Sequence, residues 1–283
     1  MDSEKIRNFW DKCPDICSED PLLITTLSFE IPYHATYRDK TEKRMFFRLI
    51  DLKPEYIIAD LGCGTGRWAL EFARRCKKVI ARDFSKPLLE IGRSEAKKNS
   101  LSNIEWKQES ITDFSLGEQV DVIHIGGVLI YVHDIDFNNI IRRCHDNLID
   151  GGILILRESI SLTNDILIED LSVANEKYSA SYRSMSHFLA MVEKYFIVDK
   201  ICETHSYVFP LPFYLYAVPK FLKKTTLVKN IMKLFYEIQS RLDPYLLNVK
   251  MLTLLKHTRL KKTPRPVTQY FFICRKKQNK CFH

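Results

Sequence analysis

Residues 60–66 read Asp-Leu-Gly-Cys-Gly-Thr-Gly, with glycine at every second position behind an acidic side chain. Ile57, Ile58 and Ala59 before them form a short apolar run, the pattern of a strand buried on both faces. From Trp68 to Arg75 the pattern turns helical, with Leu70, Phe72 and Ala73 inward and Arg74 and Arg75 outward. The glycines therefore sit on a strand-to-helix turn, where bare backbone and unpaired N–H groups at a helix start can receive an anionic group. Three readings compete. A phosphate-cradling loop needs Gly-Lys-Ser/Thr, and no lysine follows Gly66. A dinucleotide fingerprint is Gly-x-Gly-x-x-Gly, whereas the spacing here is Gly-x-Gly-x-Gly. The third takes the whole pattern, Asp-x-Gly-x-Gly-x-Gly, with its acidic residue two before the first glycine, and the bland alternative is a glycine-rich turn that binds nothing.

Around this turn, apolar strand patterns alternate with helical ones. Val79–Arg82, Ile104–Gln108, Asp121–Ile125 and Ile153–Glu158 read as strands, and the alternation implies a parallel sheet with right-handed crossovers. In such a sheet ligands bind beyond the carboxyl ends of the strands, beside the switch point. Asp60, Asp83, Glu109, Gly126 and Glu158 all fall at strand ends.

The pattern Asp60-x-Gly62-x-Gly64-x-Gly66 resembles motif I of the class I S-adenosylmethionine (SAM) methyltransferases. That resemblance covers about residues 37–207, with Val267–Arg275 as a last strand. It implies a Rossmann-like α/β fold: a mostly parallel seven-stranded sheet with helices on both faces. It implies that Asp83, in Asp-Phe-Ser-Lys-Pro, takes the cofactor's ribose hydroxyls, since a carboxylate accepts from two neighbouring hydroxyls at once. Glu109, followed by Ser110, falls near the adenine edge. The cofactor set it implies is Asp60, Gly62, Cys63, Gly64, Asp83, Phe84, Glu109, Ser110 and Gly126, with Arg38 as a partner for the cofactor carboxylate. Arg38 on a solvated helix start is the competing reading.

Residues 1–50 are expected to form a helical cover: Ile6, Phe9 and Trp10 share one helix face, and Arg38–Ile50 reads as a second helix. In relatives such a helix packs over the SAM site and helps form the substrate pocket. Tyr33, His34, Tyr37 and Arg38 are the groups placed for that. Asp165–Lys177 reads as helical, Met185–Lys194 as a helix, and a strand starts at Phe196. Tyr178, Tyr182 and Arg183, with Tyr37, are the candidate acceptor-binding residues; tyrosines packing a helix on the sheet edge are the alternative. For proton removal from a hydroxyl acceptor the candidates are His133, Glu158 and Tyr131, with His187 less well placed. Relatives commonly carry histidine where Tyr131 stands.

The bulk properties set bounds. A chain of 283 residues that is 46% apolar suits a globular protein. There is no apolar run behind Met1, so no secretory signal is expected, and the longest apolar stretch, Val208–Pro219, is too short to span a bilayer. Cys13-x-x-x-Cys17 lacks partners at zinc spacing, so no metal site is expected, and the scattered cysteines suit a reducing, cytoplasmic setting. Charge is uneven. Residues 208–283 hold 16 Lys and Arg against Glu237 and Asp243, a balance of +14, so residues 1–207 carry −6 of the overall +8. A basic segment of that kind suits an anionic partner.

The expected organisation is a helical cover over 1–50, a SAM-binding core over 51–207, a basic amphipathic helical insertion over 208–266, and a last strand and tail over 267–283. In the insertion, Leu227, Ile231, Leu234, Phe235 and Ile238 line one helix face and Tyr245, Leu246, Val249, Leu252 and Leu255 another. A cap on the sheet and a surface for an anionic membrane both fit that pattern, nucleic acid less well. The expected function is methyl transfer from SAM, leaving S-adenosylhomocysteine (SAH), to a small-molecule or lipid-like acceptor, with oxygen as the favoured atom. An RNA or protein acceptor docked through the insertion is the alternative, as is a catalytically silent SAM-binding subunit.

Overall fold

The computed structural model describes residues 3–16, 20–27, 32–173, 176–204 and 266–277, and six helical positions between 230 and 241. The expected insertion over 208–266 falls almost wholly outside the described residues, as do the side chains of Tyr33 and His34.

Seven strands form one sheet: β1 (Ile57–Leu61), β2 (Lys78–Asp83), β3 (Ile104–Gln108), β4 (Val120–Gly126), β5 (Leu148–Ser161), β8 (Phe196–Glu203) and β9 (Val267–Lys276). Their order is β3-β2-β1-β4-β5-β9-β8. The first five run parallel, and β9 lies antiparallel between β5 and β8. The order reverses between β1 and β4, which opens a crevice beyond their carboxyl ends. This is the expected Rossmann-like sheet.

The strands are apolar on both faces because both are covered. On one side α6 (Asp134–Asn147) and α7 (Met185–Val192) bury Phe137, Ile140, Phe188 and Val192 against Ile123, Leu154 and Phe272. On the other, α4 (Ala69–Ala73), α5 (Lys86–Lys98) and the last turns of α3 (Pro32–Leu49) bury Phe72, Leu89 and Phe46 against Ile58, Val79 and Phe271. Phe46 is fully buried, with ring centroids 4.9 Å from Trp68, 5.4 Å from Phe72 and 5.9 Å from Phe271.

A third cluster lies above the strand ends. Helices α1 (Ser3–Ile16) and α2 (Pro21–Thr26) form the expected N-terminal cover, and Phe9, Leu23 and Ile24 pack there with Leu88, Ile130, Tyr178 and Ala180. The chain from Ile166 to Tyr182, expected to begin as a helix, is instead a two-stranded hairpin of β6 (Ile166–Val173) and β7 (Glu176–Tyr182). The reason is legible in β7, where Tyr178 and Ala180 are buried and alternate with more exposed neighbours. That is a period of two, which places one face of the hairpin against α1. Ile166, Ile168 and Val173 add β-branched side chains. Among the described residues, no helix is long and apolar enough to cross a membrane.

Phe46→Ala should lower the unfolding free energy by about 3–5 kcal/mol, the range for truncating a fully buried aromatic. Urea unfolding followed by tryptophan fluorescence measures it.

Candidate functional site

The glycine turn is built by backbone constraints before any ligand is considered. Gly62 leaves β1 with φ +69°, and a Cβ there would sit 2.3 Å from Val128, so no other residue fits. Its N–H and that of Cys63 both donate to the carbonyl of Arg82 (2.8 and 3.0 Å), which pins the turn across the end of β2. Asp83 fastens the other side: Oδ2 accepts from the Gly64 N–H and Oδ1 from the Ser85 N–H, each at 2.8 Å. Burial pushes the Asp83 carboxyl up to about 6, although these two N–H groups favour its charged form. Each oxygen keeps a second lone pair for a ligand hydroxyl.

This turn forms one wall of a cavity of about 270 Å³. Twelve of the residues singled out from sequence line it: Arg38, Asp60, Gly62, Cys63, Gly64, Asp83, Phe84, Glu109, Gly126, Tyr131, Tyr178 and Tyr182. Trp10 of α1, Thr25 and Thr26 of α2, and Leu27 beyond it close the top. Three tyrosines make a connected wall. The Tyr131 hydroxyl donates to that of Tyr178 (3.3 Å), which in turn lies 3.0 Å from that of Tyr182. Trp10 meets Tyr131 edge to face at 5.7 Å. Burial raises the Tyr131 and Tyr178 hydroxyls well above the ordinary phenol value, so both stay neutral.

Six sequence candidates do not line the cavity; one is His187, which pairs with Asp165 and Asp134. His133 is exposed at the start of α6. Glu158 is buried, and its Oε1 accepts from the N–H groups of Val128 and Leu129, both at 3.0 Å, so it braces the loop after β4. Expected as proton acceptors for a substrate, neither of these two lines the cavity. The reason for Glu158 is strand alternation: Arg157 and Ser159 point into the cavity, so Glu158 faces away. Arg183 is also a brace, donating to the carbonyls of Leu129 (2.8 Å) and Val132 (2.7 Å) and to Asp134 (2.8 Å). Tyr37 is buried at 1% exposure away from the cavity, and Ser110 bonds Thr112 (2.9 Å). Glu109 reaches the cavity but is engaged by Lys107 (2.8 Å), the Ser115 N–H (3.1 Å) and Arg82 (3.2 Å). Despite partial burial, these contacts hold its carboxyl below the usual range.

The structure also adds residues that sequence reasoning passed over. His124 lies beside Asp60 in the β1–β4 register, and its Nδ1 is 2.8 Å from Asp60 Oδ1. Its Nε2 and the second oxygen of Asp60 are buried without hydrogen-bond partners. A lone polar residue inside an apolar strand was the available signal. Glu42, fully buried on α3, ion-pairs Arg157, lies 2.7 Å from Arg67 and 3.9 Å from Arg38. All three arginines line the cavity. Helical spacing put Glu42 on the same face as Arg38, but nothing local marked it as buried. Among the described residues, no group of three or more His, Cys, Asp or Glu side chains is placed to hold a metal ion. The Cys63 thiol is pushed up by burial and by Asp83, which disfavours a thiolate.

Comparison with known proteins follows the same outline. Residues 58–152 match the family model described as a methyltransferase domain. A demethylmenaquinone methyltransferase of Lactococcus lactis is 27% identical over 197 residues, covering 68% of this chain and 70% of that protein. An alpha N-terminal protein methyltransferase of Dictyostelium discoideum is 28% identical over 126 residues, covering 44% of this chain and 47% of its own. The solved phosphoethanolamine N-methyltransferase 1 of Haemonchus contortus, in complex with phosphoethanolamine and SAH, shares the fold with a TM-score of 0.59 at 17% identity. That match covers 71% of this chain and 44% of that one. The chain thus spans under half the length of these last two proteins.

Burial pushes the Glu158 carboxyl up to about 7, from an ordinary 4.5. A carboxyl raised on folding contributes stability at low pH that is lost as pH rises through its folded value. Glu158→Gln keeps an acceptor for the two N–H groups and removes that titration. Urea unfolding at pH 5 and at pH 8 should therefore show a smaller loss of stability between the two in the variant than in the parent.

Proposed function

We propose that this chain, which matches a methyltransferase domain over residues 58–152, is a SAM-dependent methyltransferase that moves the methyl group of SAM to a small or lipid-like acceptor held beneath the N-terminal helices. One observation carries the reading: the glycine turn with Asp60 and Asp83 shares a single cavity with a wall of Trp10, Tyr131, Tyr178 and Tyr182. The cofactor side fits the group. Glycine is required at Gly62, Asp60 keeps an oxygen without a partner, and Asp83 retains lone pairs for two hydroxyls. When bound, SAM supplies an activated methyl on a sulfonium, displaced in line by a nucleophile.

Residues of this chain then have separate tasks. Asp83 and the turn hold the ribose side, and Phe84 and Ile111 line the space beside it. Arg38, anchored by donation to the Thr26 carbonyl at 2.9 Å, offers a guanidinium to a carboxylate. The aromatic wall and the cover exclude water and orient the acceptor, so positioning supplies much of the rate. His133 and Glu158 do not line the cavity, so this reading assigns neither of them to proton removal. An acceptor that arrives already ionised needs no base. Oxygen is the acceptor atom in this reading, since the tyrosine hydroxyls and Ser159 can orient it. A small or lipid-like acceptor also accords with the Lactococcus relative, which matches over more than two-thirds of both chains and whose name gives a quinone substrate. A cavity roofed by Trp10, Thr25, Thr26 and Leu27 favours such an acceptor over RNA or a protein.

Calorimetric titration with SAH should show binding at micromolar strength, and no binding by a folded sample would overturn the reading. Asp83→Ala should weaken SAH by about 1–3 kcal/mol, the cost of losing a charged hydrogen bond to buried hydroxyls. Since Asp83 must be ionised to accept fully, SAH affinity should also fall as pH drops below about 6. Tyr178→Phe, which keeps the packing against Phe9 and removes the hydroxyl from the wall, should leave SAH affinity within about twofold while reducing methyl transfer.

A further inference from the structure

The six described positions between 230 and 241 are helical, and they carry a stripe that the cavity does not use. Ile231, Leu234 and Ile238 are 53%, 63% and 50% exposed. Spacings of three and four residues align them along one side of the helix. Asn230 and Arg241, also exposed, flank them. Single apolar residues are ordinary on a protein surface, whereas three aligned on one helix face form a patch.

The way this helix is fastened leaves the stripe outside. Glu237 reaches α3, where Lys40 and Arg44 (3.7 Å) hold it. Arg241 closes back on the same carboxylate at 3.4 Å. An amphipathic helix of a globular protein ordinarily turns its apolar stripe to the core and its charges to water. Here a charged contact faces the protein and the apolar stripe faces out. Arg38, two residues before Lys40 and so on the opposite side of α3, lines the cavity. One helix therefore holds the stripe on its outer side and the cavity on its inner side.

Charge identifies the partner. Residues 208–266, which include this helix, hold 12 Lys and Arg against Glu237 and Asp243, a balance of +10. Of those two acids, Glu237 is already taken up by α3. An exposed apolar stripe within a basic segment matches a surface that is anionic outside and apolar beneath, which is an anionic bilayer. Nucleic acid would satisfy the charge but is bound through its phosphates and base edges, with little for aliphatic side chains to bury against. A second copy of this chain would cover the stripe but bring the same positive charge against itself.

Resting on the lipid-like acceptor proposed above, we infer that this helix seats the protein on an anionic bilayer, from which the acceptor is drawn. Ile231, Leu234 and Ile238 enter the boundary between headgroups and acyl chains, and Arg241 beside them meets lipid phosphate. An acceptor with an apolar tail partitions into the same bilayer, so docking brings protein and acceptor to one surface.

The test sediments full-length protein with vesicles of phosphatidylcholine alone and of an equal mixture of phosphatidylcholine and phosphatidylglycerol. The anionic vesicles should bind at least about tenfold tighter than the neutral ones, and high salt should shrink the difference. Leu234→Gln combined with Ile238→Gln should weaken anionic binding at least about tenfold, with SAH affinity within about twofold of the parent. No binding to anionic vesicles overturns the inference, as does equal binding to neutral ones. Binding that the double variant leaves unchanged also overturns it, since that marks a surface working by charge alone, as nucleic acid binding does. A parent that is dimeric in solution and a double variant that is monomeric overturn it by assigning the stripe to a second copy. If the double variant does not fold, unchanged anionic binding in Ile231→Gln is decisive against. Failure of the parent to bind SAH is a separate result: it removes the methyl-transfer reading and leaves vesicle binding to be judged by itself.

Discussion

The buried carboxylate of Glu42 ties α3 to the central sheet and to the glycine turn, beside the apolar contacts that Phe46 makes with Trp68 and Phe271. It reaches from α3 to Arg157 on the central sheet and to Arg67 just past the glycine turn, with Arg38 one helical turn away. Taking a carboxylate fully out of water costs several kcal/mol, and one ion pair seldom offsets that. Several guanidiniums around one carboxylate do so by sharing it. The arrangement is stable only when cover, turn and sheet are all in place, so it acts as a register for the docking of α3. Truncating Glu42 would leave buried positive charge with no counterpart, and the cavity roof would lose its reference to the floor.

Asp83 does a comparable job on the other side of the cavity with a different currency. Its oxygens take backbone N–H groups from Gly64 and Ser85, so the carboxylate shapes the turn even without a ligand. The site is therefore built before it is filled, and little backbone ordering remains to be paid for on binding. The raised Asp83 carboxyl follows from the same burial that makes it effective: a desolvated acceptor bonds strongly when ionised and protonates more easily when it is not.

The cavity carries charge of both signs: the carboxylates of Asp60, Asp83 and Glu109 and the guanidiniums of Arg38, Arg67 and Arg157 all line it. The tyrosine wall is neutral, because burial keeps Tyr131 and Tyr178 protonated.

Local pattern alone determined the sheet, the glycine turn and the acids at strand ends, because strand periodicity, glycine spacing and position after an apolar run are short-range properties. Asp60, Asp83 and Glu109 were legible for that reason, and so was the alternation that placed Gly126 beside the site. Tertiary structure alone decided which way the polar residues of the later segments face. Glu158 and Arg157 are neighbours in sequence, yet alternation sends one to brace a loop and the other into the cavity. Arg183 and His133 lie in segments that border the cavity, but the former spends its donors on loop carbonyls and the latter stands in solvent. The β6–β7 hairpin formed where a helix was expected because docking on α1 rewards a period of two over local propensity. For His124 and Glu42 the sequence held a polar residue in an apolar strand and a helix-face position, but not the partner that each is buried against. A buried polar pair is defined by a partner 64 residues away in one case and 115 in the other, and only the folded chain brings such partners together.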